Sequence, residues 1–175
     1  MSAIVQLSLS INNQRFKGKV KYFIVGDGEL REELESYCKT IGITYTSPES
    51  KNENANLIFT SWIEDMDRVV SGVDIVALTS NNEGTPVSLI EAQAGNKPVV
   101  STNVGGIENV ILNGETGYFS PREDAHAFAD NLLTLLENKA LRENMSSKGW
   151  GNVGKRYHYT RLVNDVERMY LSDLN

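Results

Sequence analysis

The sequence predicts an α/β fold built on a parallel sheet, and three observations carry that reading. Short apolar runs of strand length, at residues 22–25, 57–60, 75–78 and 98–100, are separated by segments compatible with helix. The runs at 75–78 and 98–100 are continuously apolar, as strands covered by helices on both faces are. The turn between them, residues 80–84, then falls at the carboxyl end of a parallel strand, where ligands of open α/β sheets bind.

Residues 4–11 alternate apolar and polar side chains as a half-buried strand would. Only residues 12–19 separate them from the next strand, too few for the crossover a parallel neighbour needs, and Ile4, Leu7 and Ile11 share one helical face. A helix over residues 2–12 is therefore expected. Residues 19–25 form a strand running into Gly26, Asp27 and Gly28, followed by a helix over residues 29–41. This begins like a dinucleotide fingerprint, but Arg31 stands where its third glycine belongs, which weakens that reading. Residues 47–56, with Pro48 and several asparagines, are a loop. A strand at 57–60 and a short helix at 64–72 follow. Trp62, between them, either packs against the sheet end or faces a ligand.

The central stretch runs from Asp74 to Thr102. Between its two strands lies one helix, with Thr85 as its expected cap, Pro86 at its first position and residues 87–94 as its body. Gly95 and Asn96 precede Pro98, and asparagine there suits a left-handed cap. After a turn at 103–106 come a helix at 107–112 ended by Asn113 and Gly114, a strand at 116–119, and helices at 124–136, 139–148 and 160–171.

The chemistry concentrates on the central helix. The free N–H groups of Val87 and Ser88 favour an anion such as a diphosphate. Glu83 lies in the turn before the helix and Glu91 within it, with seven residues between them. Glu91 is about 7 Å further along the axis, at the reach of ribose hydroxyls. Glu83 lies where it would meet whatever hangs beyond the phosphates. A phosphate site flanked by two such acids suits a nucleotide-sugar.

These residues also carry a family resemblance. The run E-G-T-P-V-S-L-I-E-A-Q-A, followed by P-V-V-S-T-N-V-G-G-I-E-N-V, with V-G-D-G-E-L-R-E-E-L before it and N-G-E-T-G-Y after it, resembles the family 4 glycosyltransferases (group 1). The resemblance covers about residues 20–170 and implies the C-terminal, donor-binding half of a GT-B fold, a Rossmann-like parallel sheet with helices on both faces. It implies a retaining glycosyltransferase of hexosyltransferase type that moves a sugar from a nucleoside diphosphate to a glycan or lipid-linked acceptor, as in polysaccharide biosynthesis. Glu83 would then hold the donor sugar and act as the catalytic residue. Backbone N–H groups of Gly84, Thr85, Val87 and Ser88 would serve the sugar and diphosphate, and Glu91 the ribose. Gly26 and Gly28 would lie beside the nucleotide, and Trp62 and Ile63 at its base, with uridine favoured. No metal or other cofactor is implied.

Against the family pattern, the chain begins after the strand and the arginine and lysine that neutralise the diphosphate, and it does not include the acceptor domain. The expectation is thus one nucleotide-sugar-binding domain over residues 1–175, inactive alone, whose sheet closes across the absent strand or pairs with a second copy as a homodimer. The alternatives are a non-catalytic nucleotide-sugar binding module needing a partner chain, or another GT-B enzyme such as a nucleotide-sugar epimerase.

Composition narrows the field. With 175 residues, 40% of them apolar, the chain can bury one core. A net charge of −6 argues against nucleic acid as a partner. The single cysteine, Cys38, leaves no internal disulfide and fits a cytoplasmic location, and no apolar run approaches the roughly 20 residues of a transmembrane helix.

Overall fold

The structure, a computed structural model, describes residues 19–173. The helix expected over residues 2–12 lies outside the described residues. In chain order the elements are β1 (Tyr22–Ile24), α1 (Arg31–Thr40), β2 (Tyr45–Thr46), β3 (Leu57–Phe59), α2 (Met66–Gly72), β4 (Val76–Leu78) and α3 (Val87–Ala94). They continue with β5 (Val99–Asn103), α4 (Ile107–Val110), β6 (Gly117–Pro121), α5 (Ala125–Glu137), α6 (Lys139–Tyr157) and α7 (Tyr159–Asp173).

All strand pairs are parallel, as the alternation of strands and helices requires. They form two three-stranded sheets, ordered β1-β3-β2 and β4-β5-β6. Among the described residues no strand joins β1 to β4, so the sheet is not closed at that point. The central strands are the buried ones: Leu57 and Phe59 of β3, and Val99, Val100, Ser101 and Thr102 of β5. While residues 98–100 are buried as expected, Phe23 of β1 is 49% exposed and Ala77 of β4 is exposed, which corrects the expectation that the strand at 75–78 is covered on both faces. Each of these strands has a neighbour on one side only, so less of its surface is shielded.

The core has three parts. Leu89 and Ala92 of α3 pack with Val99, Ile107, Val110 and Ile111. Cys38, Ile43, Leu57 and Phe59 form a second group. In the third, Phe128, Leu132 and Leu135 of α5 meet Val100 and Met145, with Tyr22 and Ile75 packed against the same group. The edge of one sheet and the approach to the edge of the other therefore rest on one apolar floor.

Two elements differ from expectation because of contacts distant in the sequence. β2 is a two-residue strand too short to show a pattern, and it exists through its pairing with β3. Helix α6 continues nine residues past Lys148 to Tyr157, through Gly149, Gly151 and Gly154. Gly149 is buried where a Cβ would press on the backbone of Gln93, so the glycine permits helix contact at that point instead of ending the helix. Conversely, Asp124 caps α5 as its acidic start suggested, accepting from the Ala127 amide at 2.9 Å.

Cys38 lies wholly buried, and burial, helped by the charge of Glu35, pushes its thiol up to about 11 from an ordinary 9.0. The folded state thus holds this proton longer than the unfolded chain. The resulting stability is fully present below pH 9 and is lost as pH rises through about 11. Cys38→Ala is expected to flatten that alkaline loss, measured as denaturant midpoint against pH. A thiol reagent at pH 8 should modify Cys38 only after unfolding.

Candidate functional site

The turn leaving β4 and the start of α3 form the centre of the site. Val87 and Glu91, one helical turn apart, lie on the exposed face of α3, while Leu89, Ala92 and Gln93 are buried on the other. The expected cap is corrected here. Pro86, with ψ 97°, occupies the N-cap position, its carbonyl accepts from the amides of Leu89 and Ile90, and no side chain caps the helix. Because Pro86 itself is extended and not helical, the helix begins at Val87, and Thr85 stands one position outside the cap and is exposed. The amides of Val87 and Ser88 have no intrahelical acceptor by their position in the first turn. Glu83 is half-buried, Glu91 is exposed, and neither forms an ion pair among the described residues.

The far end of α3 is fixed as the sequence suggested. Asn96 is left-handed at φ 56°, the Lys97 amide donates to Ala92 O at 2.9 Å and the Asn96 amide to Gln93 O at 3.0 Å. That pair of bonds closes the helix. Sequence reasoning missed what holds the helix from behind. Buried Gln93 donates to Leu89 O and Val110 O at 3.2 and 3.1 Å, while its own oxygen accepts from Asn152 of α6 at 2.9 Å. Asn152 also donates to Val110 O at 2.8 Å. A glutamine inside an apolar helix face was the signal, since a buried amide needs partners.

The turn with Gly26 and Gly28 is tied to the end of β3, from which the chain runs on through Trp62 and Ile63. The Gly26 amide donates to Thr60 Oγ1 at 3.2 Å, which joins the turn after β1 to the end of β3. The Gly28 amide donates to Asp27 at 2.9 Å. A ligand here therefore meets the open surface of the turn and not these two amides. Arg31, the residue that departs from the dinucleotide pattern, is the bracket of this group. It reaches Thr60 O at 2.9 Å, Glu35 at 3.1 Å, Glu49 at 3.2 Å and Asp27 at 3.7 Å. Burial opposes its charge, but the hydrogen bond to Glu35 and the charges of Glu49 and Asp27 outweigh that and raise its pKa. Trp62 is 77% exposed, so it does not pack against the sheet end. Ile63 beside it is half-buried.

Among the described residues no three His, Cys, Asp or Glu side chains gather as metal ligands, and no helix is long and apolar enough to cross a membrane.

Comparison with known proteins identifies the family. A model of the group 1 glycosyl transferases matches residues 4–138. The capsular polysaccharide biosynthesis glycosyltransferase CapM of Staphylococcus aureus is 28% identical over 118 residues, 67% of this chain and 31% of that protein. In this and three further curated relatives the chain spans 31–40% of their length. The crystal structure of the C-terminal domain of a group 1 family glycosyl transferase from Francisella tularensis superposes with a TM-score of 0.69 at 23% identity, covering 88% of this chain and 76% of that one. HepE of Anabaena in complex with UDP superposes at 0.76 and 18% identity, over 98% of this chain and 54% of that one. The parallel α/β fold thus has the company its sequence pattern implied, and the chain belongs to the group 1 glycosyltransferases.

Proposed function

We propose that this chain is the donor-binding part of a retaining glycosyltransferase, holding a nucleoside diphosphate sugar, with uridine as the favoured base. The observation that carries this is the start of α3. Its first amides carry no side-chain cap, one carboxylate precedes them in the turn and another follows one turn later, and neither is in an ion pair among the described residues. An uncapped helix start attracts the diphosphate through its N–H groups and the helix dipole. Glu91 accepts from the ribose hydroxyls and Glu83 from those of the sugar. Exposed Trp62 offers its ring to the base, two residues beyond Thr60, to which the Gly26 turn is bonded. The crystal structure of HepE with UDP supports a uridine nucleotide on this fold.

Charge that develops on the departing diphosphate is stabilised by the preorganised amides, so no metal or other cofactor enters the proposal. Glycan or lipid-linked acceptors would be held by a further domain, in keeping with the capsular polysaccharide biosynthesis named for CapM. The exposed apolar face of α7, with Leu162, Val163, Val166, Met169 and Tyr170, is where that domain would rest, and the open edges of β1 and β4 are where a second copy would pair. The cytoplasm is the proposed location. One nucleotide-sugar-binding domain spans the chain, and alone it is expected to transfer no sugar.

Glu83→Gln tests the reading. Calorimetry should show affinity for UDP unchanged within about twofold, and the preference for UDP-glucose over UDP reduced about tenfold, the worth of one charge-assisted hydrogen bond. Equal losses for both ligands would place Glu83 on the nucleotide and overturn its assignment to the sugar.

A further inference from the structure

The turn that carries Glu83 is held in place by residues of another strand. β4 and β5 run in parallel; β4 ends at Leu78 opposite Ser101, while β5 continues to Asn103 alongside the turn that leaves β4. Fully buried Thr102 then donates its hydroxyl to Ser80 O at 2.6 Å. Further on, the Gly106 amide donates to Gly84 O at 3.0 Å and to Glu83 O at 3.3 Å. The contact is too close for any side chain. A Cβ on Gly106 would overlap Gly84 O, and one on Gly105, which is left-handed at φ 55°, would overlap Glu83 O. The turn before α3 has no cap of its own. Its backbone is set by what β5 presents to it.

We infer that Thr102, Gly105 and Gly106 form a positioning element that moulds the acidic turn, and thereby sets where the Glu83 carboxylate stands relative to the amides of Val87 and Ser88. This rests on the donor-site reading above for its effect on ligands, and on the geometry alone for its effect on the turn. None of the three residues touches the ligand with its side chain in this scheme. They act through the backbone of Ser80, Glu83 and Gly84. Displacing that backbone by a fraction of an ångström moves the carboxylate out of hydrogen-bonding range of the sugar while leaving the helix amides and Glu91 where they were.

Gly106→Ala is the principal test, because φ −83° at this position suits alanine and only the contact is altered. Gly114→Ala is the control. It forces alanine into a left-handed position at φ 78°, but its Cβ meets nothing within 4 Å, so it loses stability without touching the turn. In amide NMR spectra of the full 175-residue chain, Gly106→Ala should shift the signals of Glu83, Gly84 and Thr85, and Gly114→Ala should leave them unmoved. In calorimetry with UDP and UDP-glucose, Gly106→Ala should lower the preference for the sugar nucleotide about tenfold, matching Glu83→Gln, with UDP affinity kept within about twofold. A merely structural defect would instead lower both affinities together. Unmoved turn signals in Gly106→Ala, or a retained preference where Glu83→Gln loses it, overturns the inference. Should Gly106→Ala fail to fold, Thr102→Val decides by the same signals, since it keeps the shape and removes the bond to Ser80 O. If the parent chain shows no preference for UDP-glucose, the donor-site reading of Glu83 falls, and the turn signals alone decide whether the mould exists.

Discussion

Glu91→Ala is expected to remove most of the affinity of this chain for UDP. Glu91 is exposed on the same face of α3 as Val87, one turn from the uncapped helix start, so its carboxylate stands within reach of a ribose whose diphosphate lies on that start. A charge-assisted hydrogen bond is worth about 1.5–3 kcal/mol, so its loss weakens binding by roughly tenfold to a hundredfold. The side chain is exposed and unpaired among the described residues, so stability should change by no more than about 0.5 kcal/mol. Titration calorimetry read beside a melting curve separates the two effects. A variant that binds UDP as well as the parent does would refute the ribose assignment.

Phe128→Ala is expected to cost about 3–5 kcal/mol of stability, a large share of the 5–15 kcal/mol that holds most domains together. Phe128 is fully buried in α5 against Val100 of β5, Met145 of α6 and the other leucines of its own helix. Tyr22 and Ile75 pack on the same group, so the cavity opens beneath both sheets at the place where, among the described residues, no strand joins them. That site has little means to collapse, which places the cost towards the upper end. The measurement is a denaturant midpoint. Phe128→Leu should recover most of the loss, and a cost below about 1 kcal/mol would show that the two sheets do not share this floor.

Apart from the two-residue β2, helix and strand order, the parallel sheet, and the acids in and before the central helix were legible because each is written locally. Residues 75–78 and 98–100 read as strands on apolar content alone, and Glu83 and Glu91 declare themselves by their distance from Pro86. Asn96 was legible for the same reason, since a left-handed helix end depends on one residue's own steric freedom. Three features were not. The cap of α3 moved from Thr85 to Pro86 because Pro86 is extended, at ψ 97°, at the end of a turn braced by Gly106. Helix α6 passes through three glycines because Gly149 meets α3, a contact 56 residues away along the chain. The two glycines after β5 read only as a turn, although they set the backbone at Glu83 and Gly84. What the sequence by itself determined is the family and, apart from β2, the order of the described elements, governed by steric and hydrophobic preferences within a few residues. Where the Glu83 turn stands was decided only by tertiary structure, because its hydrogen bonds come from Thr102 and Gly106, and no local preference specifies a partner about twenty residues away.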